Sequence, residues 1–126
     1  MKHDSGVVRH NWDKMEKELL SDVIERKMIW GEKIMLSHII LKKGSIVPLH
    51  QHENEQFSYI LKGSMRFWLE REGGDEIEVH AGDVLQIPAN VPHGAITLED
   101  TLSLDVFSPP RQDWIEKTDD YLRNGK

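Results

Sequence analysis

Cysteine is absent from this 126-residue chain, which excludes disulfide staples and thiolate metal sites together. Any metal must therefore be held through nitrogen and oxygen. No apolar run approaches the roughly 20 residues needed to span a bilayer, so no membrane partner is expected. No apolar stretch follows residues 1–6, so a secretory signal is not expected and a cytoplasmic location is the default. A basic excess is also missing. Sixteen Lys and Arg stand against 22 Asp and Glu, a net charge of -6, which argues against a nucleic-acid partner. An anionic ligand would need a local positive group, because the overall field repels it.

What is present is a single domain's length of chain, residues 1–126, punctuated as short strands. Apolar-rich runs at 23–30 and 33–41 flank Gly31-Glu32 and read as a hairpin. Further strands are expected at 56–62, 64–70, 76–80, 84–87, 93–98 and 101–107, each closed by Gly, Pro or Asp. Such spacing predicts an all-β sandwich or barrel over 23–108. Residues 1–20 read as an N-terminal arm in which 9–20 form either a helical turn or an edge strand. Trp114, Ile115, Tyr121 and Leu122 recur at helical spacing, predicting a short helix over 112–122 packed outside the barrel.

The chemistry begins at His50-Gln51-His52. Side chains alternate along a strand, so 50, 52 and 56 share a face if the alternation survives local kinks. Two imidazoles and a third donor converging on one point is how proteins hold a divalent transition metal. His93 adds a third imidazole from a loop stiffened by Pro88 and Pro92. Gly44, His50, His52, Gln56 and Gly63, followed by Gly82, Pro88, Asn90, His93 and Thr97, are spaced as in the two motifs of the cupins, which this chain resembles. That resemblance implies a small antiparallel jelly-roll barrel with a metal inside.

Three positions depart from the motifs. Asn90 stands for a Gly and tolerates positive φ. Thr97 stands for an Asn and is given no chemical role. Gln56 stands for the Glu ligand, and a neutral amide would leave the full charge of the ion uncompensated, making it a stronger Lewis acid. Glu53 and Glu55 are rival ligands of the opposite parity. His3, His10, His38 and His80 are read as ordinary arm or surface histidines.

The last strand alternates Leu102, Leu104, Val106 with Thr101, Ser103, Asp105, and Phe107 follows on the second face. That second face meets either water or a polar cavity. In a cavity Asp105 becomes a general acid or base candidate. Arg111 either clamps a substrate carboxylate or pairs with Asp105, Glu99 or Asp113. His-x-His-x-x-x-Gln followed by Asp-Val-Phe-Ser-Pro-Pro-Arg resembles the small pectin-degradation cupins of the KdgF type. By that resemblance His50, His52, Gln56 and His93 hold a divalent transition metal (Zn, Ni, Mn or Fe), and Asp105, Phe107 and Arg111 surround an anionic sugar. The implied activity is ring opening of 4,5-unsaturated uronate monosaccharides to the linear keto form, by a homodimer. Other readings are an iron-dependent cupin dioxygenase and a non-enzymatic sugar- or effector-binding cupin. A cupin lyase of sulfonio compounds would place Glu and tyrosines where this chain has Gln56-Phe57-Ser58-Tyr59.

Overall fold

Period-two alternation decides which side chains meet. The computed structural model describes residues 2–71 and 73–123, in which ten strands form two antiparallel sheets. In one sheet β1 (Glu18–Leu19), β2 (Ile24–Trp30), β3 (Met35–Leu41), β10 (Thr101–Ser108), β5 (Glu55–Lys62) and β8 (Val84–Ile87) lie side by side in that order. The other runs β4 (Ile46–His50), β9 (His93–Thr97), β6 (Ser64–Leu69), β7 (Asp75–His80). This is the all-β architecture expected, with the hairpin loop widened to residues 31–34.

Inward positions mix apolar and polar groups. Met35, Ile39, Leu41, Ile60, Phe67, Ile87 and Phe107 build the core between the sheets. Each contributes roughly 1.5–3 kcal/mol on burial. The same faces also bury Ser37, Gln56, Ser58, Ser103 and Asp105, so the polar face of the last strand meets a cavity. The outer face of the large sheet also carries apolar groups, exposing Ile40, Phe57, Tyr59, Leu61 and Val84. The arm covers part of that face. Trp12, in a 3-10 turn at Trp12–Lys14, stacks on His38 with ring centres 5.2 Å apart, and Lys27 Nζ donates to the Trp12 carbonyl at 2.7 Å. The arm thus holds both a helical turn and an edge strand, β1.

Two motif positions are steric. At Gly63 (φ 92°) a Cβ would lie 2.4 Å from the Asp100 carbonyl, which leaves only glycine. Asn90 takes φ 65°, as its substitution for Gly requires. Thr97 is structural. Its hydroxyl accepts from Ser45 N–H at 2.8 Å and donates to the Lys42 carbonyl at 2.7 Å.

The C-terminal segment differs from expectation in two ways. One helix over 112–122 becomes two single turns, α1 (Gln112–Ile115) and α2 (Asp120–Arg123). Lys117 at φ 60° ends the first, with Lys117 N–H on the Trp114 carbonyl and Thr118 N–H on the Asp113 carbonyl. That left-handed closure satisfies the free carbonyls and turns the chain. The segment also does not pack outside the barrel, because Trp114 and Leu122 are buried in the core. Arg26, whose side chain is fully buried, pins it by donating to Asp119 at 2.6 Å and Glu18 at 2.8 Å. Arg123 joins the same two carboxylates at 2.9 and 2.6 Å. No helix among the described residues is long and apolar enough to cross a membrane.

Candidate metal centre

A bulge sets the parity of the histidine pair. Val47 pairs with Ala95 and His50 with His93, so β4 carries one extra residue around Pro48-Leu49. Proline cannot donate to the ladder and is tolerated at such bulges. The extra residue turns His50 to the inward side shared by Val47 and leaves Leu49 exposed. The chain then leaves the strand, and Gln56 comes back on β5. One extended run does not carry all three donors, as the alternation argument assumed. Two strands and the turn between them bring the donors together.

The ligand atoms of His50, His52 and His93 all lie within 4.8 Å of one another. Each ring is oriented by a carbonyl two residues away: His50 Nδ1 by Pro48 at 2.8 Å, His52 Nδ1 by Asn54 at 3.0 Å, His93 Nδ1 by Val91 at 2.8 Å. A carbonyl only accepts, so each Nδ1 carries the hydrogen and each Nε2 bears a lone pair. Nε2 of His93 is buried without a partner. Burial, then the neighbouring His93, pushes the His50 pKa down to about 3. Burial, then Arg111, takes His52 down to about 4. His93 is also lowered, chiefly by burial. All three imidazoles are therefore neutral near pH 7 and ready to ligate.

Gln56 presents its amide oxygen to this cluster for a traceable reason. Asp105 is buried at 9% exposure, and burial raises its pKa while hydrogen bonds from Ser58 and Ser103 oppose the rise. Ser58 lies directly across from Asp105 on β5. With its proton given to that carboxylate, Ser58 Oγ must accept, and it does so from Gln56 Nε2 at 2.8 Å. Gln56 Oε1 is left 3.0 Å from His52 Nε2. Two lone-pair-bearing atoms at that distance repel unless a cation lies beside them. The donor set, all nitrogen and neutral oxygen, fits a divalent transition ion. Glu53 and Glu55 are exposed and stand outside the cluster.

Asp105, Phe107, Arg111, His50, His93 and Gln56 share the lining of one cavity. Phe107 lies edge-on to His52 with ring centres 5.7 Å apart. Arg111, only 2% exposed, is forked onto Asp113 through Nε at 2.9 Å and Nη2 at 2.8 Å. Burial alone would lower its pKa, but Asp113 and Tyr121 raise it overall. One of the partners considered for Arg111 is thus real, yet its Nη1 is buried and unpaired. Much of the remaining wall is apolar, including Ile39, Leu41, Met65, Phe67 and Trp114.

Sequence reasoning did not single out Ser58, Asp113 or Tyr121 as site residues. Ser58 shares the parity of Gln56, a usable signal. Nothing in the sequence marks Tyr121, whose ring stacks on His50 with centres 4.4 Å apart. Gly94 is a further steric requirement, since a Cβ there would lie 2.5 Å from the Trp68 indole nitrogen.

The cupin domain model matches residues 37–108. The chain belongs to the cupin family. Its fold is similar to that of KdgF from a Halomonas species, with a TM-score of 0.76 and 29% identity over 82% of this chain and 94% of that one. An RmlC-like cupin from Shewanella frigidimarina is equally similar, with a TM-score of 0.76 and 27% identity over 83% and 93% of the two chains. Among curated proteins, the cupin is 27% identical to the 3-hydroxyanthranilate 3,4-dioxygenase of Bacillus cereus over 107 residues, 83% of this chain. It spans 60% of that relative's length.

Proposed function

We propose that this cupin is a metal-dependent enzyme that opens 4,5-unsaturated uronate monosaccharides to their linear keto form. One observation carries the reading. A buried carboxyl at Asp105, its pKa raised by burial, and a guanidinium with a free buried Nη1 at Arg111 share one cavity with the histidine cluster. The likeness to KdgF over most of both chains supports it.

His50, His52, His93 and Gln56 would hold the ion. When bound, it supplies Lewis acidity that stabilises negative charge on a substrate oxygen. Arg111 orients the uronate carboxylate through Nη1, its other edge being fixed by Asp113. Phe107 walls the sugar and excludes water beside His52. Asp105 accepts the anomeric hydroxyl proton as C1 becomes a carbonyl and the bond from C1 to the ring oxygen breaks. The electron pair enters the enol oxygen at C5, and Asp105 returns the proton to C4. The step moves one proton and changes no oxidation state overall. A raised carboxyl pKa suits a group that must both take and give a proton near neutrality.

The test is loss of the enol-ether absorbance when the protein, with and without chelator, is added to lyase-generated unsaturated monouronates. No chelator-sensitive loss refutes the reading. A second reading, oxidative cleavage of an aromatic carboxylate, draws on the dioxygenase relatives and the largely apolar cavity wall. Oxygen consumption with 3-hydroxyanthranilate by the iron-loaded protein would establish it instead. The expected homodimer is supported by the apolar outer sheet face, and sedimentation of Tyr59→Glu against the wild type tests it.

A further inference from the structure

The phenol of Tyr121 has both of its accepting positions filled. Arg111 Nη2 donates to it at 2.8 Å and Trp114 Nε1 at 3.1 Å. A phenolic oxygen holds one hydrogen and accepts about two, so its own O–H must point away from both donors. Among the described residues no acceptor takes that hydrogen. Arg111 Nη1 is the other donor in this corner left without a partner, and it is buried. Two adjoining groups of one cavity wall thus have hydrogens to give and nothing in the protein to receive them.

Position and charge narrow what the receiver is. The Tyr121 ring stacks on His50 at 25° between planes, which sets the phenol at the edge of the histidine cluster. The Arg111 guanidinium lies over the rings of Phe107 and Trp114 at 5.1 and 4.8 Å, which holds it against the cavity wall. Arg111 is the one cationic side chain lining the cavity among the described residues, in a chain of net charge -6. A planar anion with two oxygens answers two neighbouring donors, one of them charged. A neutral hydroxyl would satisfy only one of them.

We infer that Tyr121 is a substrate-binding residue whose O–H, together with Nη1 of Arg111, seats the carboxylate of the ligand beside His50. This deepens the proposed function by adding a second donor to the carboxylate seat. It rests on that reading only for the choice of cavity, because a uronate and an aromatic acid present the same group.

The experiment titrates chelator-treated full-length protein by calorimetry with D-galacturonate and with benzoate. The neutral partners are methyl galacturonate and benzamide. Tyr121→Phe keeps the ring on His50 and removes the O–H. The expected result is about a tenfold weaker Kd for whichever carboxylate the wild type binds, with the neutral partner and the zinc affinity unchanged. An equal loss for carboxylate and neutral partner, or a shifted zinc affinity, would assign Tyr121 a merely structural role and overturn the inference. A readout free of any variant uses ring-labelled tyrosine, of which the chain has two. Carboxylate binding should move the Cζ resonance of Tyr121 and leave that of Tyr59, on the outer sheet face. No shift at Tyr121 under saturating carboxylate overturns the inference as well. Neither measurement needs turnover, so failure of the ring-opening reaction leaves this test intact. The two acids tell apart a sugar seat from an aromatic one.

Discussion

Asp105→Asn is expected to cut turnover sharply and to raise thermal stability at pH 8 together. Burial holds the Asp105 pKa above the ordinary carboxylate range, whereas in the unfolded chain such a group ionises near pH 4. Between those two values the folded protein binds more protons than the unfolded one. The stability due to this group is therefore complete below the unfolded pKa and is lost as pH rises through the folded one. Asparagine carries no charge at any pH and keeps an acceptor for Ser103 Oγ, which donates to Asp105 Oδ1 at 2.8 Å. At pH 8 it should remove a burial penalty on the order of 1–3 kcal/mol, worth about 4 °C of Tm per kcal/mol in a domain of this size. Near pH 4 the gain should shrink toward zero. The assay is thermal unfolding of chelator-treated wild type and variant at both pH values, so that no bound cation stabilises the carboxylate. Turnover, measured on the metal-loaded proteins, should fall by about 10²–10⁴. A variant no more stable at pH 8 than the wild type refutes the buried ionised carboxylate, and wild-type turnover refutes its chemical role.

Replacing His93 by Ala should remove most zinc affinity in a competition titration, since its unpaired Nε2 is the deepest of the three donors. The chelated protein should lose stability as pH falls below 6.5 toward about 3, because His50 and His52 stay neutral in the fold and charge in the unfolded chain. Saturating zinc should flatten the upper part of that decline, seen in denaturant midpoints. Gln56→Glu places a carboxylate where the amide oxygen faces His52 and should tighten metal binding while slowing turnover. Equal affinity for the two proteins would refute the orientation assigned to Gln56. Asp119→Ala leaves the buried Arg26 with Glu18 alone and should cost about 3 kcal/mol in urea unfolding.

The legible parts of the site were those governed by local periodicity. The alternation along the last strand placed Asp105 and Phe107 on one side, and spacing brought His50, His52 and His93 under one family pattern. The hidden parts depend on contacts between distant segments. A one-residue bulge at Pro48-Leu49 reset the face of His50, which strand alternation alone does not reveal. Ser58 acquires its role only because Asp105 lies across from it on β10. Tyr121 and Trp114 sit at helical spacing, so they read as one amphipathic face. Lys117 at positive φ breaks that helix, and lysine carries no sequence signal for such a turn.

The clamp formed by Arg26, Asp119, Glu18 and Arg123 has a consequence for biosynthesis. Its links join residues 93 and 105 positions apart, so among the described residues it closes very long loops and cannot form until residues 119–123 have been made. Every donor for the ion lies at or before residue 93, whereas Arg111, Trp114 and Tyr121 emerge later. The four candidate donors therefore precede in sequence the residues that wall them in. The donors and the residues that close over them are thus separate stretches of the chain, the second fastened to the fold by the clamp.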